Sequence, residues 1–214
     1  MDFEYKEVNR SPVIWSDNIF NKDEINLIHN ECHRLNALGI LQSETGGAKI
    51  EITKTDEKTG KVTKEHEHLS KNNGCFLEKV FASELRLSDS LHIIRDKIHN
   101  EDFINKIKDI HPYFFTLSQN KGTSSLLSYY DKSDHYKGHR DNSFITVLLW
   151  FYEEPKYFTG GDFVIENELT IECKRGRVVF MPGYLLHEVT PVEMKEEYQG
   201  KLKGRYTISQ FVGM

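Results

Sequence analysis

Residues 144–152 read FITVLLWFY, an unbroken run of β-branched, aliphatic and aromatic side chains. Such runs are typical of buried strands. Similar short runs lie close by on both sides, separated by Gly, Pro, Asp, Asn or Lys. They are SSLLSYY (124–130), DFVIEN (162–167), LTIEC (169–173), RVVFM (177–181), LLHEVT (185–190) and RYTISQFV (205–212). Many short strands without intervening helices predict a β-sandwich or barrel for the second half of the chain.

The first half of the chain is predicted to be mainly helical. Asn21 followed by Glu24 is typical of a capping box, so a helix is expected over residues 21–38. Apolar residues at helical spacing predict two more helices near residues 87–98 and 103–110. The fold class is therefore α+β. We expect one domain over residues 1–214, with a helical support region at 1–112 and a β-rich core at 113–214.

Residues 43–73 form a polar excursion between the predicted helices. Its two alternating segments predict a hairpin around Lys58, Thr59 and Gly60, exposed and mobile. His66 and His68 in this run could hold a metal, but a charged segment of this kind is usually solvated surface. The excursion could also serve as a lid over a substrate.

Composition limits the class of protein. The chain has 214 residues, of which 38% are hydrophobic and 29% charged, as in a folded, soluble domain. A net charge of -5 argues against nucleic acid as a partner. Without an apolar run long enough for a membrane or a basic, apolar start typical of a signal peptide, the protein is expected in the cytoplasm. The three widely spaced cysteines favour neither a disulfide framework nor a zinc ribbon.

The first chemical motif is His139-Arg140-Asp141. On an extended strand, positions i and i+2 face the same side, so one imidazole and one carboxylate could bind the same ion. His187 lies after a second predicted strand and a Pro-Gly turn. Two histidines and one carboxylate form the facial triad of non-haem Fe(II) oxygenases, which leaves positions open for a co-substrate and O₂.

The second motif lies on the last predicted strand. Arg205, Thr207 and Ser209 share one face by strand alternation. A guanidinium flanked by hydroxyl groups is a good receptor for a carboxylate, because it donates two charge-assisted hydrogen bonds.

The order of these motifs resembles that of the 2-oxoglutarate- and Fe(II)-dependent dioxygenases, and within them the prolyl-4-hydroxylase-like branch. Residues 130–141 are similar to that branch's segment from a tyrosine to the H-x-D pair. Residues 160–165 resemble its Gly-Gly strand, residues 187–192 its distal-histidine segment, and residues 205–208 its co-substrate strand. Trp150 departs from the pattern, since relatives often carry a tyrosine there.

The resemblance implies a double-stranded β-helix, or jelly-roll, with the N-terminal helices packed on one sheet. It implies that His139, Asp141 and His187 bind Fe(II), and that Arg205 pairs with the 5-carboxylate of 2-oxoglutarate. Tyr130 and Ser209 would add hydroxyl contacts. The expected reaction uses O₂ to hydroxylate a substrate C–H and converts 2-oxoglutarate to succinate and CO₂, with ascorbate as a reductant.

Three functions remain open at this point. The substrate could be a prolyl residue of a protein or peptide, or a free amino acid or other small metabolite. A non-catalytic metal-binding module is the third alternative. An inward-facing Arg205 would argue against it, because a simple metal site does not need this residue.

Overall fold

A computed structural model describes residues 2–56, 58–119 and 122–213. Glu57 of the predicted excursion lies outside the described residues. The same holds for Met1 and Met214, the two ends of the predicted domain. The helices are α1 (Lys22–Ala37), α2 (Leu77–Val80), α3 (Asp89–Ile98) and α4 (Glu101–Ile110). Three 3₁₀ segments are Leu85–Leu87, Pro112–Gln119 and Glu196–Tyr198.

Seventeen strands are present in the described residues. The first seven are β1 (Glu4–Val8), β2 (Ser11–Ser16), β3 (Gln42–Ser43), β4 (Lys49–Thr55), β5 (Val62–His68), β6 (Ser70–Lys71) and β7 (Asn73–Phe76). The next five are β8 (Thr123–Tyr130), β9 (His135–His139), β10 (Ile145–Phe151), β11 (Phe158–Gly160) and β12 (Phe163–Ile165). The last five are β13 (Leu169–Ile171), β14 (Val178–Pro182), β15 (His187–Val189), β16 (Val192–Met194) and β17 (Arg205–Val212).

The strands form two main antiparallel sheets. The large sheet has the order β1-β2-β14-β10-β17-β8-β7-β3, and the smaller sheet has the order β13-β12-β15-β9-β6. β11 pairs with β16 and β4 pairs with β5 as separate two-stranded ribbons. This arrangement is the jelly-roll predicted above.

Strand β10 shows why its sequence is apolar throughout. Ile145, Val147 and Leu149 belong to the core between the large sheet and the helices. Leu148 and Trp150 belong to a second core, which lies between the two sheets. Both faces of β10 are therefore buried, and the sequence does not alternate between apolar and polar residues.

The predicted helices are confirmed, and their ends are fixed by side-chain caps. Asn21 and Glu24 form a complete capping box at the start of α1. Ser88 and Asn100 accept hydrogen bonds from backbone amides at the start of α3 and α4. Apolar faces of these helices cover one side of the large sheet.

The region predicted as a helical support also contributes to the sheets. β1, β2, β3 and β7 extend the large sheet, and β6 pairs with β9 at the edge of the smaller sheet. β3 and β6 have only two residues each, which is too short for a periodic pattern in the sequence. The boundary predicted at residue 112 therefore does not separate helices from strands.

The predicted hairpin is present. β4 and β5 pair in register from Lys49 opposite His68 to Thr55 opposite Val62, and most of their side chains are exposed. The base of the hairpin continues directly into β6, so the excursion is bound to the smaller sheet. Its role as a lid stays a prediction. In the described part of the chain, no helix is long and apolar enough to cross a membrane.

Candidate functional site

The two segments that carry the predicted metal ligands meet through strand pairing. His139 is the last residue of β9 and His187 is the first of β15, and the two residues are paired across these antiparallel strands. Asp141 lies just beyond the end of β9. Its backbone N–H donates to the carbonyl of Gly183 at 2.8 Å, which fixes the carboxylate beside the turn between β14 and β15.

The three side chains place their donor atoms around one point. Nε2 of His139 lies 3.6 Å from Oδ1 of Asp141, and Nε2 of His187 lies 3.4 Å from Oδ2. All three donor atoms lie within 4.8 Å of one another. Ligand bonds of about 2.1 Å place neighbouring ligand atoms on one ion about 3 Å apart, so little movement is needed to bind a metal. No other group of three potential ligands occurs in the described part of the chain.

Hydrogen bonds orient each of these ligands. Nδ1 of His139 lies 3.0 Å from the carbonyl of Lys137, and Nδ1 of His187 lies 2.8 Å from that of Leu185. A carbonyl oxygen only accepts, so in the neutral ring Nδ1 carries the hydrogen and Nε2 has a free lone pair for a metal. Thr146 donates to Oδ2 of Asp141 at 2.6 Å.

The electrostatics favour the protonation states that bind metals. Burial, together with the neighbouring His187, lowers the pKa of His139 to about 4. Burial alone would raise the pKa of Asp141, but hydrogen bonds and charge interactions, chiefly with His187 and Thr146, outweigh it and lower this pKa. At neutral pH His139 is therefore neutral and Asp141 ionised, as metal ligation requires.

A cavity leads from the three ligands into the space between the sheets. One face of β17 forms a wall of this cavity, which is lined by the buried Arg205 and the less buried Ser209. Tyr130 lines the same cavity and is paired with Arg205 across β8 and β17. The cavity thus connects the predicted metal ligands with the predicted carboxylate receptor.

Arg205 is fully buried, and no carboxylate among the described residues forms an ion pair with it. Its guanidinium carbon lies 4.9 Å from the ring centre of Tyr130 and 5.5 Å from that of Trp150. None of its three side-chain nitrogens has a hydrogen-bond partner among the described residues. A buried, unpaired charge costs several kcal/mol, so this site fits a bound carboxylate.

Two neighbouring polar groups strengthen this conclusion. Oγ1 of Thr207 and Nε1 of Trp150 are buried and also lack a hydrogen-bond partner in the described chain. Thr207 lines the cavity together with Arg205, and Trp150 is paired with Thr207 across β17 and β10 and lies against the guanidinium of Arg205. Three adjacent residues therefore offer hydrogen-bond donors without a protein acceptor, which suits an anion.

Gly161 is packed directly over Arg205. A Cβ atom at this position would lie 2.9 Å from Cδ of Arg205, and φ is +66°. Glycine is therefore needed here both for the backbone conformation and for the close approach to the arginine side chain. The sequence resemblance identified this glycine pair only as the start of a Gly-Gly strand.

Three residues near the site were not among the predicted ligands. Thr207 shares a strand face with Arg205, so alternation could have selected it ahead of the more exposed Ser209. Thr146 and Tyr136 contact the metal ligands through hydrogen bonding and ring stacking, respectively. No sequence signal identifies these two, because their roles depend on how β9 and β10 are placed around the ligands.

A second cavity, of about 210 Å³, opens at the surface beside the metal ligands. Its walls include Phe76, Tyr136 and Phe211, together with the polar Asn142. Gly46 and Ala48, near the base of the hairpin, complete one side. His66, in contrast, is exposed on the hairpin, and no metal-binding cluster includes it or His68 among the described residues.

Comparison with known proteins agrees with this geometry. The family model described as the 2OG-Fe(II) oxygenase superfamily matches residues 125–213. A prolyl-4-hydroxylase from Pseudomonas putida has a similar fold, with a TM-score of 0.53 and 14% identity over 94% of this chain and 91% of that chain. No curated protein matches the chain by sequence.

A second similar structure is the non-haem α-ketoglutarate-dependent epimerase SnoN from nogalamycin biosynthesis. Its TM-score is 0.54, with 9% identity over 97% of this chain and 80% of that chain. At such low identities these two structures establish the fold alone. The family model covers the part of the chain that contains the three predicted metal ligands and Arg205, so residues 125–213 match a 2OG-Fe(II) oxygenase domain.

Proposed function

We propose that the protein is an Fe(II)- and 2-oxoglutarate-dependent hydroxylase. In this proposal His139, Asp141 and His187 bind Fe(II), and Arg205 binds the 5-carboxylate of 2-oxoglutarate. The observation that carries it is the buried, unpaired guanidinium of Arg205 on the same cavity as the three metal ligands. A structural metal site would not need this charge, so the non-catalytic alternative leaves Arg205 unexplained.

The bound iron and co-substrate would supply the oxidation, with 2-oxoglutarate converted to succinate and CO₂ as O₂ is consumed. The protein's own residues hold the reactants. Thr146 fixes the carboxylate of Asp141, and the carbonyls of Lys137 and Leu185 fix the two imidazoles. The Tyr130 and Trp150 rings enclose the guanidinium, which excludes water from the carboxylate receptor.

Thr207, Ser209 and Tyr130 would provide hydroxyl groups around the co-substrate. Thr207 is the best supported of these three candidate contacts, because its buried hydroxyl has no hydrogen-bond partner among the described residues. Trp150 could donate its indole N–H where related enzymes often use a tyrosine. Ascorbate as a reductant remains an expectation from the family resemblance.

The substrate proposed first is a prolyl residue of a protein or peptide. The surface cavity beside the metal ligands supports it, because aromatic walls pack well against proline-containing chains. The similar fold of the Pseudomonas putida prolyl-4-hydroxylase is a further, weaker support. The fold similarity to SnoN favours a second candidate, in which a small molecule is the substrate and the outcome differs from hydroxylation.

The test is succinate release from 2-oxoglutarate with added Fe(II), with peptides and free amino acids followed by mass spectrometry for a gain of one oxygen. Replacing Arg205 by Met should raise the KM for 2-oxoglutarate by about 30-fold or more, because the carboxylate loses its buried charge partner. Arg86→Met is the matched control, since Arg86 is exposed and paired only with Glu84 in the described chain.

Binding of 2-oxoglutarate by calorimetry gives a second readout that does not need the substrate. An Arg205→Met protein that folds and binds 2-oxoglutarate as tightly as the wild type would refute the assigned receptor. Absence of succinate with every substrate class would favour the non-catalytic alternative.

A further inference from the structure

Tyr136 contacts both a predicted metal ligand and the base of the exposed hairpin. Its ring stacks on the imidazole of His139, with the ring centres 3.5 Å apart and the planes 10° from parallel. Its hydroxyl accepts a hydrogen bond from the backbone N–H of Ala48 at 2.7 Å. One side chain therefore connects two parts of the protein that are far apart in sequence.

Ala48 is the residue immediately before β4, so its position follows that of the hairpin. Its carbonyl accepts a hydrogen bond from the backbone N–H of Leu69 at 2.9 Å, just beyond the end of β5. The carbonyl of Leu69 in turn accepts from the N–H of Lys137 on β9 at 2.8 Å. The base of the hairpin is thus closed around Ala48 and attached to the strand that carries His139.

Beyond its base, the hairpin has few contacts that could hold it in place. β4 and β5 pair with each other along their whole length, and their side chains are mostly exposed. One ion pair, between Lys137 and Glu67 at 2.6 Å, connects β5 to β9 on the surface. Exposed pairs of this kind contribute little, so the contacts at the base carry most of the attachment.

The surface cavity beside the metal ligands lies where these groups meet. Gly46, Ala48, Tyr136 and His139 all line it. A substrate in this cavity would touch the hairpin base and the stacked pair of rings together. Tyr136 therefore contacts both the hairpin base and His139, so a shift of either one would reach the other through this side chain.

We propose that Tyr136 is a positioning residue that couples the hairpin to the metal ligand His139. This inference rests on the proposed function, in which His139 binds the metal. Its ring holds the imidazole in the orientation that ligation requires, and its hydroxyl holds the base of the hairpin. A metal that fixes His139 then also orders the hairpin base, and by linkage an ordered hairpin strengthens metal binding.

The two contacts of Tyr136 can be separated by substitution. Tyr136→Phe keeps the ring over His139 and removes the acceptor for Ala48, whereas Tyr136→Leu removes both contacts. The conservative Tyr157→Phe variant is the matched control, because Tyr157 contacts Tyr198 and Lys203 and is not among the residues lining the metal cavity.

The experiment uses the full chain, with Co(II) as the metal probe. Co(II) affinity is measured by its d–d absorption, and hydrogen exchange by mass spectrometry follows the peptide around Ala48 with and without Co(II). In the wild type, saturating Co(II) should slow this exchange by about fivefold or more. Exchange in β10 serves to show that each variant is folded.

The expected pattern differs between the two variants. Tyr136→Phe should bind Co(II) within about threefold of the wild type but lose the slowing at Ala48, since only the hydroxyl contact is gone. Tyr136→Leu should lose the slowing and also bind Co(II) about 10-fold more weakly, a typical cost for a residue that orients a ligand. Tyr157→Phe should behave as the wild type in both measurements.

Two results would overturn the inference. One is a wild type that binds Co(II) without any change in exchange at Ala48. The other is a Tyr136→Phe protein that retains the full slowing. A wild type that fails to bind Co(II) at all would instead overturn the proposed metal site itself, so the two failures are distinguishable.

Discussion

Individual hydroxyl groups decide how firmly the candidate ligands are held. Thr146 donates to Asp141 at 2.6 Å and also lies 2.9 Å from the hydroxyl of Ser143. It sits at the start of β10, on the face that points between the two sheets. The carboxylate is thereby fixed before any metal binds, which lowers the entropy lost on ligation.

Thr146→Val should weaken Co(II) binding by about 10-fold, because the shape is kept while the hydrogen bond to Asp141 is lost. Co(II) titration followed by d–d absorption measures this directly. Thr146→Ser, which keeps the hydroxyl, should restore most of the affinity. Equal affinities for the valine variant and the wild type would show that Asp141 is positioned without Thr146.

At the scale of elements, helix α1 places a titratable group against the large sheet. His29 lies on its buried face, with its ring edge-on to that of Tyr206 at 5.7 Å. Its Nε2 has no hydrogen-bond partner among the described residues. Burial, helped by the nearby charge of Arg175, lowers the pKa of His29 to about 4.

This burial predicts a stability that depends on pH. The unfolded chain binds a proton at His29 near the ordinary pKa of 6.5, whereas the folded chain resists it down to about 4. His29 therefore lowers the free energy of unfolding as the pH falls from about 7 to about 4, because the unfolded state binds more protons there. Urea unfolding at several pH values measures the slope.

In a His29→Leu variant, the free energy of unfolding should fall less steeply between about pH 7 and about pH 4 than in the wild type. His92→Leu is the control, since His92 is an exposed residue of α3, and it should keep the wild-type slope. An identical slope for His29→Leu and the wild type would contradict the prediction.

At the scale of the whole molecule, the predicted metal ligands belong to a fold that has two hydrophobic cores of its own. One core packs the helices against the large sheet, and another fills the space between the sheets. The two predicted histidine ligands lie on β9 and β15, which pair through backbone hydrogen bonds, and Asp141 lies just beyond β9. The fold therefore has its own sources of stability apart from the ion.

Removing the metal with a chelator should leave the far-ultraviolet circular dichroism unchanged and lower the Tm by an amount that depends on metal concentration, because a ligand of the folded state stabilises by mass action. Both quantities can be followed in one thermal scan. A collapse of secondary structure on chelation would mean that the metal is structural.

The sequence could predict the elements and most of the candidate site. The capping box of Asn21 and Glu24 acts within one turn of its helix, and strand alternation placed Arg205 and Thr207 on one face. The prediction of a helical support region was incomplete, because β3 and β6 are two-residue strands that become strands only by pairing with β7 and β9. Such pairing leaves no periodic pattern.

The sequence by itself predicted the strand-rich half, the three metal ligands, the carboxylate receptor Arg205 and the kind of chemistry that they suit, because residue type and local spacing act over short distances. Only the tertiary structure decided that the guanidinium of Arg205 is buried without a partner among the described residues, that Thr146 and Tyr136 contact the predicted metal ligands, and that the hairpin is attached to β9. These features join residues distant in the chain. They arise from strand order and packing, which cannot be predicted from the spacing of residues in the sequence.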